Sequence, residues 1–237
     1  MHFNKAFIIG LPKHTGKRLE RCFKRCKREG IDALLWPGIY GLDVDIEKYK
    51  QLGYLSKNFQ LTLPGSLGCM LSHITLWEKL EKDPSCDIAL ICEDDILLNS
   101  DFQKKLNHIP WSEVPDNWDI IKLSYHGLNG TKISNNIIKP STIKKKATNS
   151  GTFCYLMKTS SASILKSVLL PYDGRNSMDV LLRNNINKFN PYLLAEKLAT
   201  EERYRFSIRK SLNYSARKLS WFEKIYIKIS RLFLSNY

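Results

Sequence analysis

The segment Asp87-Ile88-Ala89-Leu90-Ile91-Cys92 is apolar after its first residue and runs directly into Glu93-Asp94-Asp95. Such a run suits a strand buried on both faces at the centre of a sheet. Three adjacent carboxylates at the edge of a low-dielectric core repel one another, so they are costly when ionised unless something positive sits among them. A divalent cation would meet that cost, because Mg2+ or Mn2+ takes oxygen ligands and commonly bridges carboxylates to the phosphates of a substrate. In open α/β sheets, ligands also bind at the carboxyl ends of the strands. The other reading of an acidic triplet is a solvated turn whose acids cap the next element.

The flanking sequence favours an α/β chain. Phe3 to Leu11 reads as a buried strand, Gly16 to Glu29 as a basic helix that Gly30 ends through a left-handed cap, and Ala33-Leu34-Leu35-Trp36 as a second strand. Strand, helix, strand is how a parallel sheet with a nucleotide crevice begins. No GxGxxG fingerprint opens it, which speaks against an ordinary dinucleotide fold. From Gly68 to Lys82, Met70, Leu71, Ile74, Trp77 and Leu80 mark one face of a helix that Asp83-Pro84 stops. Trp118 to Leu123 and Gly151 to Leu156 read as further strands, and Ser160 to Leu169 as a helix. The polar stretch from Gly127 to Asn149 reads as a mobile loop.

With 37 Lys and Arg against 23 Asp and Glu, the net charge of +14 favours phosphate-bearing partners without selecting a fold. The six cysteines show no CxxC pair, and reduced, mostly buried thiols are expected. The apolar stretch Ala6 to Ile9 is too brief for a signal segment, and no run of eighteen apolar residues occurs, so the expectation is a cytoplasmic protein. From Arg203 onward Glu223 is the only acid. If 221–233 is helical, Trp221, Phe222, Ile225 and Ile229 share one side while Lys224, Lys228 and Arg231 share the other, as in an anchor lying on an anionic membrane. The alternation Ile225, Ile227, Ile229 also suits a strand, and a helix docked on the core is the third reading. The expected organisation is thus a domain over 1–200 and a basic amphipathic extension over 201–237.

Gly68-Cys69-Met70-Leu71-Ser72-His73, then Trp77-Glu78, then Ala89 to Asp95 together resemble glycosyltransferase family 25, whose members carry a GCxLSH helix followed by a strand ending in EDD. The likeness continues through Trp118-Asp119-Ile120-Ile121 and Gly151-Thr152 with Tyr155 to Asp179, covering most of residues 3 to 200. Ser66 and Tyr40 stand where the family has acids. The resemblance implies an α/β fold of GT-A type with a mixed central sheet, a UDP-sugar donor such as UDP-galactose, and Mn2+ or Mg2+ held by Glu93 and Asp95. It further implies that Glu93 and Asp94 contact ribose or order the metal's waters, with Ser72, His73, Gly151 and Thr152 at the donor. Breaking the sugar–phosphate bond leaves a nucleoside diphosphate, whose growing charge a cation stabilises.

Three of these residues have a plainer alternative. His73 is either a donor contact or a satisfied core histidine, and the motif favours the former. Asp179 is either the general base of an inverting transfer, with Asp94 the other catalytic candidate, or a first-turn acid after Ser177. Gly151 either lets backbone approach the substrate or is a turn residue. The leading expectation is a hexosyltransferase acting on lipooligosaccharide or another surface glycan, lipid-linked or free, at the inner membrane face. A collagen-modifying role fits less well without a signal segment. A basic nucleic-acid-binding protein, suggested by Tyr204-Arg205-Phe206, and a metal-dependent nuclease are the alternatives; nucleic acid is not the expected partner.

Overall fold

The computed structural model describes residues 2–141 and 148–202. The basic extension, with its anchor, strand and docking readings, lies outside the described residues. In chain order the elements are β1 (Lys5–Gly10), α1 (Pro12–Arg28), β2 (Ala33–Pro37), α2 (Ile46–Gln51), α3 (Pro64–Glu81), β3 (Ile88–Glu93), β4 (Ile96–Leu98) and α4 (Phe102–Asn107). They continue with β5 (Ile120–Lys122), β6 (Gly130–Lys132), β7 (Ile137–Pro140), β8 (Cys154–Lys158), α5 (Ala162–Leu169), α6 (Met178–Asn184), β9 (Pro191–Leu194) and β10 (Ala199–Glu201).

The apolar run expected at the centre of a sheet is there. The main sheet has the order β2-β1-β3-β8-β5-β9-β7-β6, with β3 parallel to β1 and antiparallel to β8, so the sheet is mixed. Along β1 the period of two divides the core. Ala6 and Ile8 pack with Leu19, Cys22 and Cys26 of α1, whereas Phe7 and Ile9 pack with Met70, Ile74 and Trp77 of α3. Helices therefore cover both faces, the three-layer α/β arrangement. β4 and β10 pair separately as an antiparallel ribbon.

Helix α1 begins four residues before the expected Gly16, because Pro12 presets the first turn and Thr15 then interrupts it with φ −128°. Gly30 has φ +73°, the left-handed stop read from sequence. Helix α3 differs more: Ser66, Leu67, Gly68, Ser72, His73 and Leu76 are buried along with the expected stripe, so nearly every side of the helix is covered. The sheet takes one side, and α5, α6 and the loop after β2 take others, which hides a helix that a one-sided pattern would leave half wet. The loop approaches closely because glycines face each other. A Cβ on Gly41 would lie 1.8 Å from the Pro64 carbonyl oxygen, and one on Gly68 would lie 2.4 Å from that of Ile39.

The polar stretch from Gly127 to Asn149 is not simply a loop. Its β6–β7 hairpin joins the sheet edge, with Ile137 opposite Leu194 and Ile138 opposite Leu193 of β9, both isoleucines buried. The adjacent pair Ile137-Ile138 among Asn, Ser and Lys does not signal a strand on its own; the buried neighbour β9 supplies the partner. Similarly, β8 starts only at Cys154, and Gly151-Thr152 belong to the irregular segment before it.

Candidate functional site

The acidic triplet lies where the carboxyl ends of β1 and β3 meet the start of β8. The Asp94 N–H donates to the Ile9 carbonyl at 3.1 Å and the Glu93 N–H to that of Phe153 at 2.8 Å, so the backbone itself sets the three acids between neighbouring strands. Their environments differ. Asp94 is 4% exposed; its Oδ1 accepts from Arg18 at 2.5 Å and its Oδ2 from the Thr15 hydroxyl. Burial pushes the Asp94 carboxyl above its usual value, against the pull of Arg18. In this arrangement Asp94 holds the β1–α1 turn and orients Arg18, with both its oxygens engaged by protein groups.

Glu93 accepts from the Thr152 hydroxyl at 2.7 Å and stands 3.6 Å from His73 Nε2. Asp95 is the exposed-side member, with a quarter of its side-chain surface open and Arg18 no nearer than 3.8 Å. Its Oδ1 is nevertheless buried without a hydrogen-bond partner among the described residues. Burial, followed by the Glu93 charge, pushes the Asp95 carboxyl up to about 8. An orphaned carboxylate oxygen beside a second carboxylate is the donor set that a hard divalent cation takes, so Glu93 and Asp95 fit such an ion. Arg18 answers Asp94 closely and Asp95 weakly.

Of the GCMLSH residues, Ser72 turns out to act on the protein. Its hydroxyl accepts from the Ile39 N–H at 2.7 Å and donates to the Gly68 carbonyl at 2.6 Å, pinning the loop after β2 to α3 at a residue 2% exposed. His73 is fully buried, with Nδ1 2.6 Å from the Tyr155 hydroxyl, which also accepts from Trp77 Nε1 at 3.0 Å. Its other nitrogen faces Glu93 and has no hydrogen-bond partner among the described residues. The two readings of this histidine therefore merge: one edge belongs to the core, the other to the site.

Gly151 has φ +93°, and its N–H donates to Asp179 Oδ2 at 2.9 Å. Asp179 is in the first turn of α6, where Ser177 donates to its Oδ1 at 2.5 Å. Lys122 reaches the same segment from β5, its Nζ donating to the Asn149 carbonyl at 2.8 Å. Thus Asn149 to Thr152 is fastened by Lys122, Asp179 and Glu93, and this strap joins the acidic triplet to Asp179. Thr15, Arg18 and Lys122 had no expected role. A lone lysine inside Ile120-Ile121-Lys122-Leu123 was the available signal for Lys122, because a buried cation needs a partner.

Burial lowers the Lys122 ammonium to about 8 from 10.5, partly opposed by Asp179. The unfolded chain then holds this proton more tightly, so stability is penalised below pH 8 and rises between about 8 and 10.5. In urea titrations across that interval the parent is expected to gain on the order of 2–3 kcal/mol from this group. Lys122→Met should flatten the rise; a rise of the same size in the variant would assign it to another group.

A family model described as "Glycosyltransferase family 25 (LPS biosynthesis protein)" matches residues 3–201, which takes in the triplet, the strap and Asp179. The chain belongs to glycosyltransferase family 25. The mixed sheet covered on both faces is the GT-A type fold expected for this family 25 chain. Among curated relatives, procollagen galactosyltransferase 1-A of Xenopus laevis is 26% identical over 132 residues, 52% of this chain and 21% of that protein. Human procollagen galactosyltransferase 2 is also 26% identical over 132 residues, 53% of this chain and 20% of its own length. A probable inactive glycosyltransferase 25 family member 3 of Rattus norvegicus is 25% identical over 138 residues, 54% of this chain and 24% of that one. The family 25 chain therefore matches about a fifth to a quarter of these relatives' length. A solved glycosyltransferase involved in glycosylating the major capsid of PBCV-1 is similar at 12% identity and TM-score 0.46, covering 89% of this chain and 97% of that one. A Drosophila β-1,4-galactosyltransferase 7 mutant, solved with manganese, UDP-Gal and xylobiose, is similar at 9% identity and TM-score 0.40, covering 91% and 81%.

Proposed function

We propose that the protein is a metal-dependent, inverting hexosyltransferase that moves galactose from a UDP-sugar to a cell-surface glycan such as lipooligosaccharide. The observation that carries this reading is the buried Oδ1 of Asp95, without a hydrogen-bond partner among the described residues, next to Glu93 at the end of a central strand. Family membership and the galactosyltransferase names of the relatives support the reaction class and the sugar. Glu93 and Asp95 would hold Mn2+ or Mg2+, which when bound stabilises the diphosphate charge of the leaving group. Arg18, already 3.8 Å from Asp95, adds a fixed positive charge beside the same diphosphate. Thr152 fixes one Glu93 oxygen, so the carboxylate does not swing away. Asp179, aimed by the Gly151 N–H and the Ser177 hydroxyl, takes the acceptor's hydroxyl proton. The acceptor is lipid-linked, and the basic extension brings the enzyme to the inner membrane face, on the sequence pattern of 221–233 alone.

Thermal unfolding with a panel of nucleotide sugars, each with and without Mn2+, tests the reading. A UDP-hexose at about 100 times its Kd adds about 2.7 kcal/mol, a shift of about 5–10 °C, and only when the metal is present. Product anomers read by NMR would show inversion. No metal-linked stabilisation by any nucleotide sugar would overturn the proposal.

A further inference from the structure

A second set of donors also includes Glu93. Cys69, His73 and Glu93 each present a ligand atom, and the three atoms lie within 4.8 Å of one another. Cys69 and His73 are four residues apart on α3 and so share one face of the helix, while Glu93 arrives from the end of β3. His73 Nε2 is the informative atom: it is fully buried, lacks a hydrogen-bond partner among the described residues, and points at Glu93 Oε1 3.6 Å away. Leaving such a nitrogen unsatisfied is costly, and a bound group would relieve it.

We infer that Cys69, His73 and Glu93 form a binding site for a thiophilic divalent cation of the zinc class. Ligand atoms around a tetrahedral zinc, with bonds of about 2.0–2.3 Å, stand about 3.3–3.8 Å apart. The His73–Glu93 pair already has this spacing, and rotation of the half-buried Cys69 side chain supplies the remaining closure of about 1 Å. One sulfur, one imidazole nitrogen and one carboxylate select zinc over magnesium or manganese, and three protein ligands leave a fourth position open to water or substrate.

The outer partner is also in place. Cation binding at Nε2 requires the proton on Nδ1, which then donates to Tyr155, and the phenol oxygen has a lone pair for it beside the one that Trp77 uses. Glu93 Oε1 serves both this site and Thr152, which couples the thiophilic ion to the strap over 149–152.

The site shares Glu93 with the proposed Mn2+ site, but its test needs no nucleotide-sugar transfer. The full-length, reduced chain is titrated with Co2+ while the near-ultraviolet thiolate-to-cobalt band is followed, and Zn2+ is then added. A saturable band that Zn2+ displaces is expected. Cys69→Ser should abolish the band and weaken Zn2+ binding more than about 100-fold, beyond the 10–100-fold typical of losing an outer partner. Glu93→Gln should shift the titration to higher Co2+ with the band retained, and Asp95→Asn should leave it unchanged. Far-ultraviolet circular dichroism confirms that each variant is folded. No band in the parent overturns the site. So does a band that survives in Cys69→Ser at parental Co2+, which would assign it to other thiols such as the Cys22 and Cys26 pair.

Discussion

An Asp95→Asn variant is expected to lose the Mn2+-dependent stabilisation by a UDP-sugar, and to melt at a higher temperature than the parent when neither ligand is present at alkaline pH. Both effects come from one carboxylate. In the folded chain its proton is held up to about 8, against 3.8 for an ordinary aspartate, because burial and the neighbouring Glu93 disfavour the charge. Between those two values the native state keeps a proton that the unfolded chain has lost. Stability therefore falls as pH climbs from 3.8 toward 8 and is flat above it. Asparagine keeps the shape and removes the charge, so the decline should shrink by about 1–2 kcal/mol, with allowance for the quarter of the side chain open to solvent. For a domain of this size that is about 2–8 °C in Tm. Turnover should drop at least about 100-fold, roughly 2.7 kcal/mol of lost charge stabilisation. A variant that keeps metal-linked nucleotide binding would remove Asp95 from the metal site.

Tyr155→Phe is expected to destabilise the fold by about 2–4 kcal/mol in urea unfolding. The change deletes one oxygen and leaves no cavity to speak of, so the cost is polar. That oxygen is 3.0 Å from Trp77 Nε1 and 2.6 Å from His73 Nδ1, and all three residues are fully shielded from water. Without it, two buried groups on α3 have lost their partner, each worth about 1–3 kcal/mol. His73 would also turn more freely and face Glu93 less often. A loss under about 0.5 kcal/mol would mean that water replaces the phenol, the mildest outcome the buried geometry permits.

How much of this was legible in advance depends on how local the cause is. The run from Ile88 to Cys92 had to be an interior strand, and Gly30 had to end a helix, because solvent avoidance and left-handed backbone are properties of a few adjacent residues. The GCMLSH and EDD motifs showed which residues gather, and Glu93, His73, Gly151, Thr152 and Asp179 are indeed linked along one strap. Their division of labour was not legible. Ser72 and Asp94 read as donor contacts; what the sequence did not show is that Ser72 fastens Ile39 and Asp94 fastens Arg18 and Thr15, from positions 33 and 76 or more residues away.

The β6–β7 hairpin was hidden for a related reason. Ile137 and Ile138 become a strand because β9 offers them an edge, and nothing within the polar stretch announces β9. From its sequence alone, then, the chain determined its layer class, its central strand and the acidic motif, all set by hydrophobic burial and local backbone preference. The tertiary structure alone decided which carboxylate is paired and which is left bare, because hydrogen-bond partners and desolvation come from segments that only folding brings within 3–4 Å of one another.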